Sequence, residues 1–454
     1  MAPPSPQSIA ILGAGITGLT AAHRLVRRGH RVRVFEVGDR VGGAIRTELT
    51  QGWLIEKGPN SLLAGDPALA ALIDELELQS EEVATHSRAR NRYILRRGVP
   101  VAAPLSPPGL LRSPLFSLGA KLRLLRELLM KPRVRTTDVS LEELARSHFG
   151  QELVDYAVNP FVTGIYAGNP KNLSARYAFP KLWAWEQTHG SLLRGQIAAA
   201  KARLPGFKHG IISFRQGLQV LPDALAARLP EGALSLRARI QALMPGSPWS
   251  VVWEDGNTTR TETFDAVIAA LPAPALAQLR FGALGERPLA SLDAIEHPPL
   301  SSVFLGYKRE QVAHALDGFG LLVPELERRS ILGVLFSSTL FAGRAPAGHV
   351  ALTVLIGGTR QPGLAKMPID DLIAAIEPDL QHMLRISGAP VFQRHAFWPR
   401  AIPQFNLGYQ FHLETMAATE RAHPGFFLGG QARDGVALPT CIAAGERLAA
   451  QIAG

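Results

Sequence analysis

The stretch 8–36, SIAILGAGITGLTAAHRLVRRGHRVRVFE, decides the fold. Ser8 to Leu12 is a β-type run ending in glycines, Thr17 to Arg28 has helical periodicity, Gly29 is placed to stop that helix, and Arg31 to Glu36 alternates as a second strand. Gly13-Ala14-Gly15-Ile16-Thr17-Gly18 has the spacing GxGxxG, and Glu36 closes the second strand eighteen residues after Gly18. Gly13 allows the tight turn, Gly15 lets backbone approach a pyrophosphate, and Gly18 lets helix and strand pack closely. The helix N-terminus presents N–H groups to phosphate, while Glu36, with Val37 beside it, meets a ribose and disfavours a 2′-phosphate. The expectation is a βαβ dinucleotide-binding unit.

Further glycine-rich turns lie on either side. DRVGGAIRT (39–47) follows the second strand, and a short strand, Gly52 to Ile55, leads into EKGPNS (56–61). Near the other end, FFLGG (426–430) and DGVALPTCI (434–442) read as a strand and a loop entering a helix near Pro439. A site with parts at both ends of the chain suits a long cofactor held across the protein better than a local nicotinamide pocket. Between them, helices are predicted over 62–78, 141–148 (Ser140 and Glu143 forming a capping box) and 369–386. Strands are predicted over 92–95, 211–214, 250–253, 264–270, 302–307, 331–336 and 349–356.

The chain has 454 residues, 46% of them hydrophobic, and a net charge of +10, which excludes disorder as the dominant state and supports a multi-domain globular protein. The single Cys441 excludes an internal disulfide framework and multi-cysteine metal or iron–sulfur sites, so a reducing, cytoplasmic setting and no metal are expected. The longest uncharged apolar run, around Ala266 to Leu279, is broken by Pro272 and Pro274, and the first eight residues lack an export pattern. Between Gly109 and Arg135 stand Arg112, Lys121, Arg123, Arg126, Lys131, Arg133 and Arg135 against the lone acid Glu127, while Leu115, Leu118, Leu122, Leu125 and Leu129 recur at helical spacing. Two readings stay open for this segment: peripheral contact with an anionic membrane face, or a leucine stripe packed on the core under a solvated basic face. No nucleic-acid-binding module accompanies the charge, so a nucleic-acid partner is not expected.

The ordered motifs resemble the flavin-dependent amine-oxidase-type superfamily. More narrowly, GPNS (58–61), TGIYAGNP (163–170), LSARYAFPKL (173–182), FRQGLQVLPDAL (214–225), DGFGLLVP (317–324) and WPRAIPQFNLGY (398–409) resemble the oxygen-dependent, FAD-containing protoporphyrinogen oxidases. The resemblance implies an α/β fold. A Rossmann-like FAD-binding domain would be assembled from 1–85, 206–290 and 401–454, with a helical insertion at 86–205, a candidate membrane-surface domain, and a mixed α/β substrate domain at 291–400. It implies one non-covalent FAD per chain, with Gly13, Ala14, Gly15, Ile16, Thr17 and Gly18 on the pyrophosphate and Glu36 and Val37 at the adenosine ribose. Ala44, Gly58, Pro59, Asn60 and Ser61 would lie beside the ribityl chain and flavin, Ile240 at the adenine, Trp398 near the isoalloxazine, and Val436, Ala437 and Leu438 over the flavin. Trp398 also reads as a core aromatic, and Cys441 reads as a small core residue rather than a flavin tether.

The implied reaction moves hydride from a porphyrinogen methylene bridge to flavin, which O2 reoxidises with release of H2O2. The cofactor carries the hard step, and no catalytic base stands out in the sequence. The substrate candidates are Arg92 for a propionate, with Arg96 or Arg97 as substitutes, Gly164 and Gly320 where backbone would approach a flat ring, and Leu340 and Ile356 as walls. Alternatives are a coproporphyrinogen III oxidase of the same fold, another flavin amine oxidase or desaturase, and a non-catalytic flavin-binding protein. Oligomeric state, monomer or homodimer, stays open.

Overall fold

In the computed structural model, which describes residues 5–104, 106–201, 210–256 and 258–453, the opening unit is β1 (Ser8–Leu12), α1 (Ile16–Arg27) and β2 (Arg31–Phe35). β1 is the centre of a five-stranded parallel sheet, between β2 and Ala266–Ala269, with Leu234–Ser235 and Phe426–Leu428 at the edges. A parallel sheet is covered on both faces, so its strands read as continuous apolar runs. Ile9 and Ile11 pack on α1 and the closing helix Leu438–Ala453, while Ala10 and Leu12 face a second core around Trp249, Trp253 and Phe281. That second core lies under a three-stranded antiparallel sheet, 238–244, 249–255 and 258–264.

A seven-stranded sheet in the order 392–398, 300–308, 349–357, 333–335, 318–322, 91–96, 99–102 forms the other large layer. One face buries Val303, Leu305, Val354 and Ile356 under Leu372, Ile376 and Leu380 of the helix Ile369–Leu384. The opposite face carries the hairpin of β3 (Thr47–Thr50) and β4 (Trp53–Glu56): Trp53 stacks on Phe392 at 5.2 Å, edge-on to Phe304. Asn91–Arg96 and Val99–Ala102 belong to this sheet, so the segment 86–205 is helical only after its first strands.

One expected element dissolves. In place of a helix over 62–78, Leu62–Ala64 is a strand paired with Gly210–Phe214, and the helix is confined to Pro67–Glu75. Asp66 fixes that start, because its side chain accepts the amides of Ala68 and Leu69 and Pro67 follows it.

The charged insertion also resolves. Ser117 caps the helix Leu118–Glu127, which packs inward through Ala120, Leu124 and Glu127. Leu115 precedes the helix and is fully buried, whereas Leu118, Leu122, Leu125 and Leu129 are 57–81% exposed. The stripe therefore faces outward and the core-packing reading fails. Arg112, Arg123, Arg126, Lys131 and Arg133 are exposed with it, while Arg135 turns inward to Glu186. Among the described residues no helix is long and apolar enough to cross a membrane.

Candidate cofactor and substrate site

The fingerprint turn leaves room in one place and none in another. Gly13 has φ +99°, and a Cβ there would lie 2.7 Å from the Ala270 carbonyl; at Gly18 it would lie 2.0 Å from the Gly13 carbonyl. At Gly15, the N-cap of α1, a Cβ would meet nothing within 4 Å, and no side chain caps the helix. Open space over an uncapped helix start is where a pyrophosphate fits. Glu36 Oε2 accepts the Ala14 amide at 2.9 Å and Oε1 the Gly38 amide at 2.8 Å. These bonds aim the carboxylate and leave each oxygen further acceptor capacity for ribose hydroxyls. The backbone amides of Arg237 and Ala238 donate to the Gly38 and Glu36 carbonyls, which ties the strand carrying Ile240, at the edge of a β-bulge, to the end of β2.

Three remote segments close around this turn. The Gly42 amide donates to the Ala14 carbonyl at 2.8 Å, and Arg40 bonds the carbonyls of Val41, Gly43 and Ile45, stitching the loop that carries Ala44. A Cβ on Gly58 would lie 2.0 Å from the Ala44 carbonyl, so glycine lets the turn Gly58, Pro59, Asn60, Ser61 lie against that loop. Trp398 donates its Nε1–H to the Lys57 carbonyl at 2.8 Å and is half-buried against the same turn. Its indole thus docks on the turn instead of serving as a core anchor. From the C-terminal end, Thr17 Oγ1 donates to the Cys441 carbonyl at 3.0 Å, and Gly445 allows the closing helix to pack tightly on α1. That packing delivers Val436, Ala437 and Leu438 to the same region. Asp434 holds the loop by accepting the Gly430 amide at 2.8 Å and bonding Arg447 at 3.0 Å. Burial pushes the Cys441 thiol up to about 12, so it stays a neutral, inert core group.

The substrate candidates divide. Arg92 is exposed at one end of the seven-stranded sheet, 5.5 Å above the Phe319 ring, with no carboxylate partner among the described residues. It shares a face with Ile94, whose strand partner is Leu322. Arg96 is committed to Glu152 at 2.8 Å and to the Tyr156 ring, and Arg97 occupies a turn with φ +53°, so neither replaces Arg92. Gly164 is exposed on the helix Asn159–Tyr166 between Phe161 and Ile165, and a Cβ there would touch Leu322.

Gly320 has a different reason to be glycine. Its Cβ would fall 2.3 Å from the Val334 carbonyl, so strand pairing, not a flat ring, excludes a side chain. Ile356 is fully buried on the helix-covered face of the sheet; alternation places Leu355, half-exposed, on the site face with Thr353 and Leu335. A one-residue slip in reading a strand moves every side chain to the other face. Leu340 is 1% exposed and lines a small cavity with Asn60, Phe341 and two charged residues, Glu56 and Arg344.

Glu56 is the site's unexpected group. It ends a strand buried at every position, accepting Thr47 Oγ1 at 2.7 Å and the Leu218 amide at 2.8 Å. Burial pushes its carboxyl up to about 7, against those bonds and the Arg344 charge. The available signal was an acid closing the apolar run Trp53-Leu54-Ile55.

Residues 16–453 match the family described as flavin containing amine oxidoreductase. The chain is 35% identical to protoporphyrinogen oxidase 2, chloroplastic/mitochondrial, of Arabidopsis thaliana, over 98% of this chain and 93% of that one. It is 27% identical to the coproporphyrinogen III oxidase of Bacillus subtilis, over 96% of each chain. A crystal structure from Exiguobacterium sp., provisionally assigned as a protoporphyrinogen oxidase, superposes with a TM-score of 0.83 at 25% identity, covering 99% of both chains.

Proposed function

The chain belongs to the flavin-containing amine oxidoreductases, and from that membership we propose that it is a protoporphyrinogen oxidase, using FAD and O2 to make protoporphyrin IX and H2O2 in haem biosynthesis. The observation that carries the reading is the convergence of distant segments on the fingerprint turn and its neighbours, Thr17 bonding the Cys441 carbonyl and Trp398 the Lys57 carbonyl, with Arg92 exposed and without a carboxylate partner among the described residues. FAD, when bound, supplies the hydride acceptor and the route to O2. The chain's part is to bind and orient. Gly15 and the start of α1 hold the pyrophosphate, Glu36 the ribose, and Ala44, the Gly58 turn, Trp398 and the loop 436–438 enclose the ring system without a covalent bond. Gly164, packed against Leu322, and the exposed Phe161 and Ile165 beside it offer an apolar surface for a tetrapyrrole, and Arg92 takes a propionate.

The test is a porphyrinogen incubated with purified protein and O2 while porphyrin fluorescence is followed. A flavin spectrum with turnover of protoporphyrinogen supports the reading. Turnover of coproporphyrinogen alone, or protein without flavin, sinks it. Arg92→Ala is expected to raise KM about 10-fold with kcat nearly unchanged, since a rim cation contributes binding rather than chemistry.

The exposed leucines with their five basic neighbours suit peripheral contact with an anionic lipid surface. Leucine burial contributes about 1.5–3 kcal/mol per side chain, and each basic residue near headgroups about 1 kcal/mol. The double change Leu122→Asp, Leu129→Asp is expected to weaken co-sedimentation with phosphatidylserine vesicles at least about 10-fold. Turnover of detergent-dispersed substrate should stay unchanged; equal sedimentation of both proteins would refute the contact.

A further inference from the structure

Behind the Gly58 turn, a cavity of about 10 Å³, room for about one water, is lined by Leu54, Glu56, Asn60, Ser337, Leu340, Arg344 and Thr353, with Phe304 and Phe341 completing it. Arg344 is 2% exposed; its Nη2 donates to Ser213 Oγ at 2.7 Å and the Phe214 carbonyl at 3.1 Å, while its Nη1 finds no partner. A buried guanidinium nitrogen left unpaired is costly, and the cavity that Arg344 lines has room for a partner. Asn60 lines the cavity and belongs to the turn assigned to the flavin, its Nδ2 donating to the Gly58 carbonyl, so the cavity lies between that turn and Glu56.

We propose that Glu56 is the proton-holding group of the reaction, joined to the substrate through Asn60 and one water held in this cavity by Arg344. The inference rests on the porphyrinogen reading. Each of the three oxidations removes a hydride from a methylene bridge and a proton from a pyrrole N–H, forming a C=C/C=N conjugated link, and a tautomerisation that moves one proton from the fourth bridge to a ring nitrogen completes the porphyrin. Reduction of O2 to H2O2 needs the electron pair and two protons. The hydride carries one proton, and the pyrrole proton, kept on Glu56, supplies the other. Glu56 thereby returns to carboxylate and no net proton is exchanged.

The surroundings fit a group that titrates. Arg344 is the charged group facing Glu56. Thr47 on β3 and the Leu218 amide complete its shell, and Gly217 packs so close that a Cβ would lie 2.8 Å from Oε1. The neighbouring acid, Glu48, alternates to the other face of the hairpin, where Lys57 and Arg394 pair with it. Burial holds the Glu56 carboxyl at about 7, near the pH at which a proton is both taken and returned readily.

Only the carboxylate accepts, so the rate of anaerobic reduction by protoporphyrinogen should rise with pH through about 7 in the native enzyme. Glu56→Gln, whose amide oxygen still accepts the Leu218 amide while its amide nitrogen donates to Thr47 Oγ1, should lower that rate about 100-fold at pH 8 and flatten the profile. Glu56→Asp should restore a pH-dependent rate. Arg344→Met removes the facing charge and should move the profile to higher pH. A readout independent of turnover is the infrared carbonyl band of a protonated carboxyl, which should titrate near pH 7 and vanish in Glu56→Gln. A pH profile unchanged by Glu56→Gln, or no such band, overturns the proposal. Native protein that fails to oxidise any porphyrinogen overturns the functional reading instead.

Discussion

A Gly15→Val variant should purify folded and colourless. Gly15 has φ −73° and ψ 174°, a backbone region open to any residue, and a Cβ there meets no protein atom within 4 Å. The valine therefore costs the apoprotein little and occupies only the space assigned to the pyrophosphate. Flavin content should fall below detection, a loss of affinity above about 100-fold, because the added side chain stands between phosphate and the α1 amides. Thermal stability should fall only to that of native protein stripped of flavin, since binding to the folded state alone supplies the difference. The contrasting change is Gly18→Val, whose Cβ would sit 2.0 Å from the Gly13 carbonyl and which should unfold the βαβ unit itself. The measurements are flavin absorbance after gel filtration and circular dichroism. Retained flavin in Gly15→Val would place the pyrophosphate elsewhere.

The same contrast explains what the sequence could disclose. β1, α1 and β2 were legible because their signals are local: apolar runs, glycine punctuation and an acid at a fixed distance. In the seven-stranded sheet the runs 92–95, 302–307, 331–336 and 349–356 were legible as strands, whereas Val99–Ala102, Gly318–Leu322 and Phe392–Trp398 were not, nor was the side of a strand that faces the site. Ile356 and Leu355 are equally apolar, and the covering helix Ile369–Leu384, remote in sequence, decides between them. The strand Leu62–Ala64 was hidden for a related reason: its partner is Gly210–Phe214, and pairing across so long a separation leaves no local trace. Glycines misled in one direction. Gly320 stands in a motif that resembles a substrate segment, yet the neighbouring strand accounts for it. By sequence Glu56 reads as part of a turn, and only the fold supplies Arg344, nearly three hundred residues later, that makes it a site group.

Glu127→Ala should destabilise the helical insertion by about 3–5 kcal/mol, the cost of leaving a buried charge without its partner. His148 is fully buried between two carboxylates, Nδ1 to Glu127 Oε1 at 2.9 Å and Nε2 to Glu186 Oε1 at 3.2 Å. Glu127 also accepts Ser191 Oγ and the Leu192 amide, each at 2.6 Å, and Glu186 binds Arg135 through Nε at 2.6 Å. Burial alone would lower the His148 pKa, but the bonds to Glu127 and Glu186 outweigh it and leave it raised. Burial likewise opposes the carboxylates, yet the bonds from His148, Ser191 and Arg135 hold both acids below the usual range. The raised imidazole contributes stability that is fully present below its ordinary value of 6.5 and is lost as pH rises through the higher folded value. The lowered carboxylates contribute stability present above 4.5 and lost as pH falls through their folded values. The clasp is therefore strongest between those two ordinary values and weakens on either side, at the alkaline edge through His148 and at the acid edge through the glutamates. Amide hydrogen exchange reads this locally. In Glu127→Ala, protection should drop in Leu118–Glu127, Leu141–Phe149 and Pro180–His189, while β1 and its sheet partners keep theirs. Glu127→Gln, which keeps the geometry without the charge, should lose less and should flatten the acid limb. Because Glu127 lies on the inner face of the helix that exposes Leu118, Leu122 and Leu125, the same variant tests whether a fixed helix is needed for lipid contact. Vesicle binding should weaken in step with lost protection if the clasp sets the orientation of those leucines, and unchanged binding by a loosened helix would show that it does not.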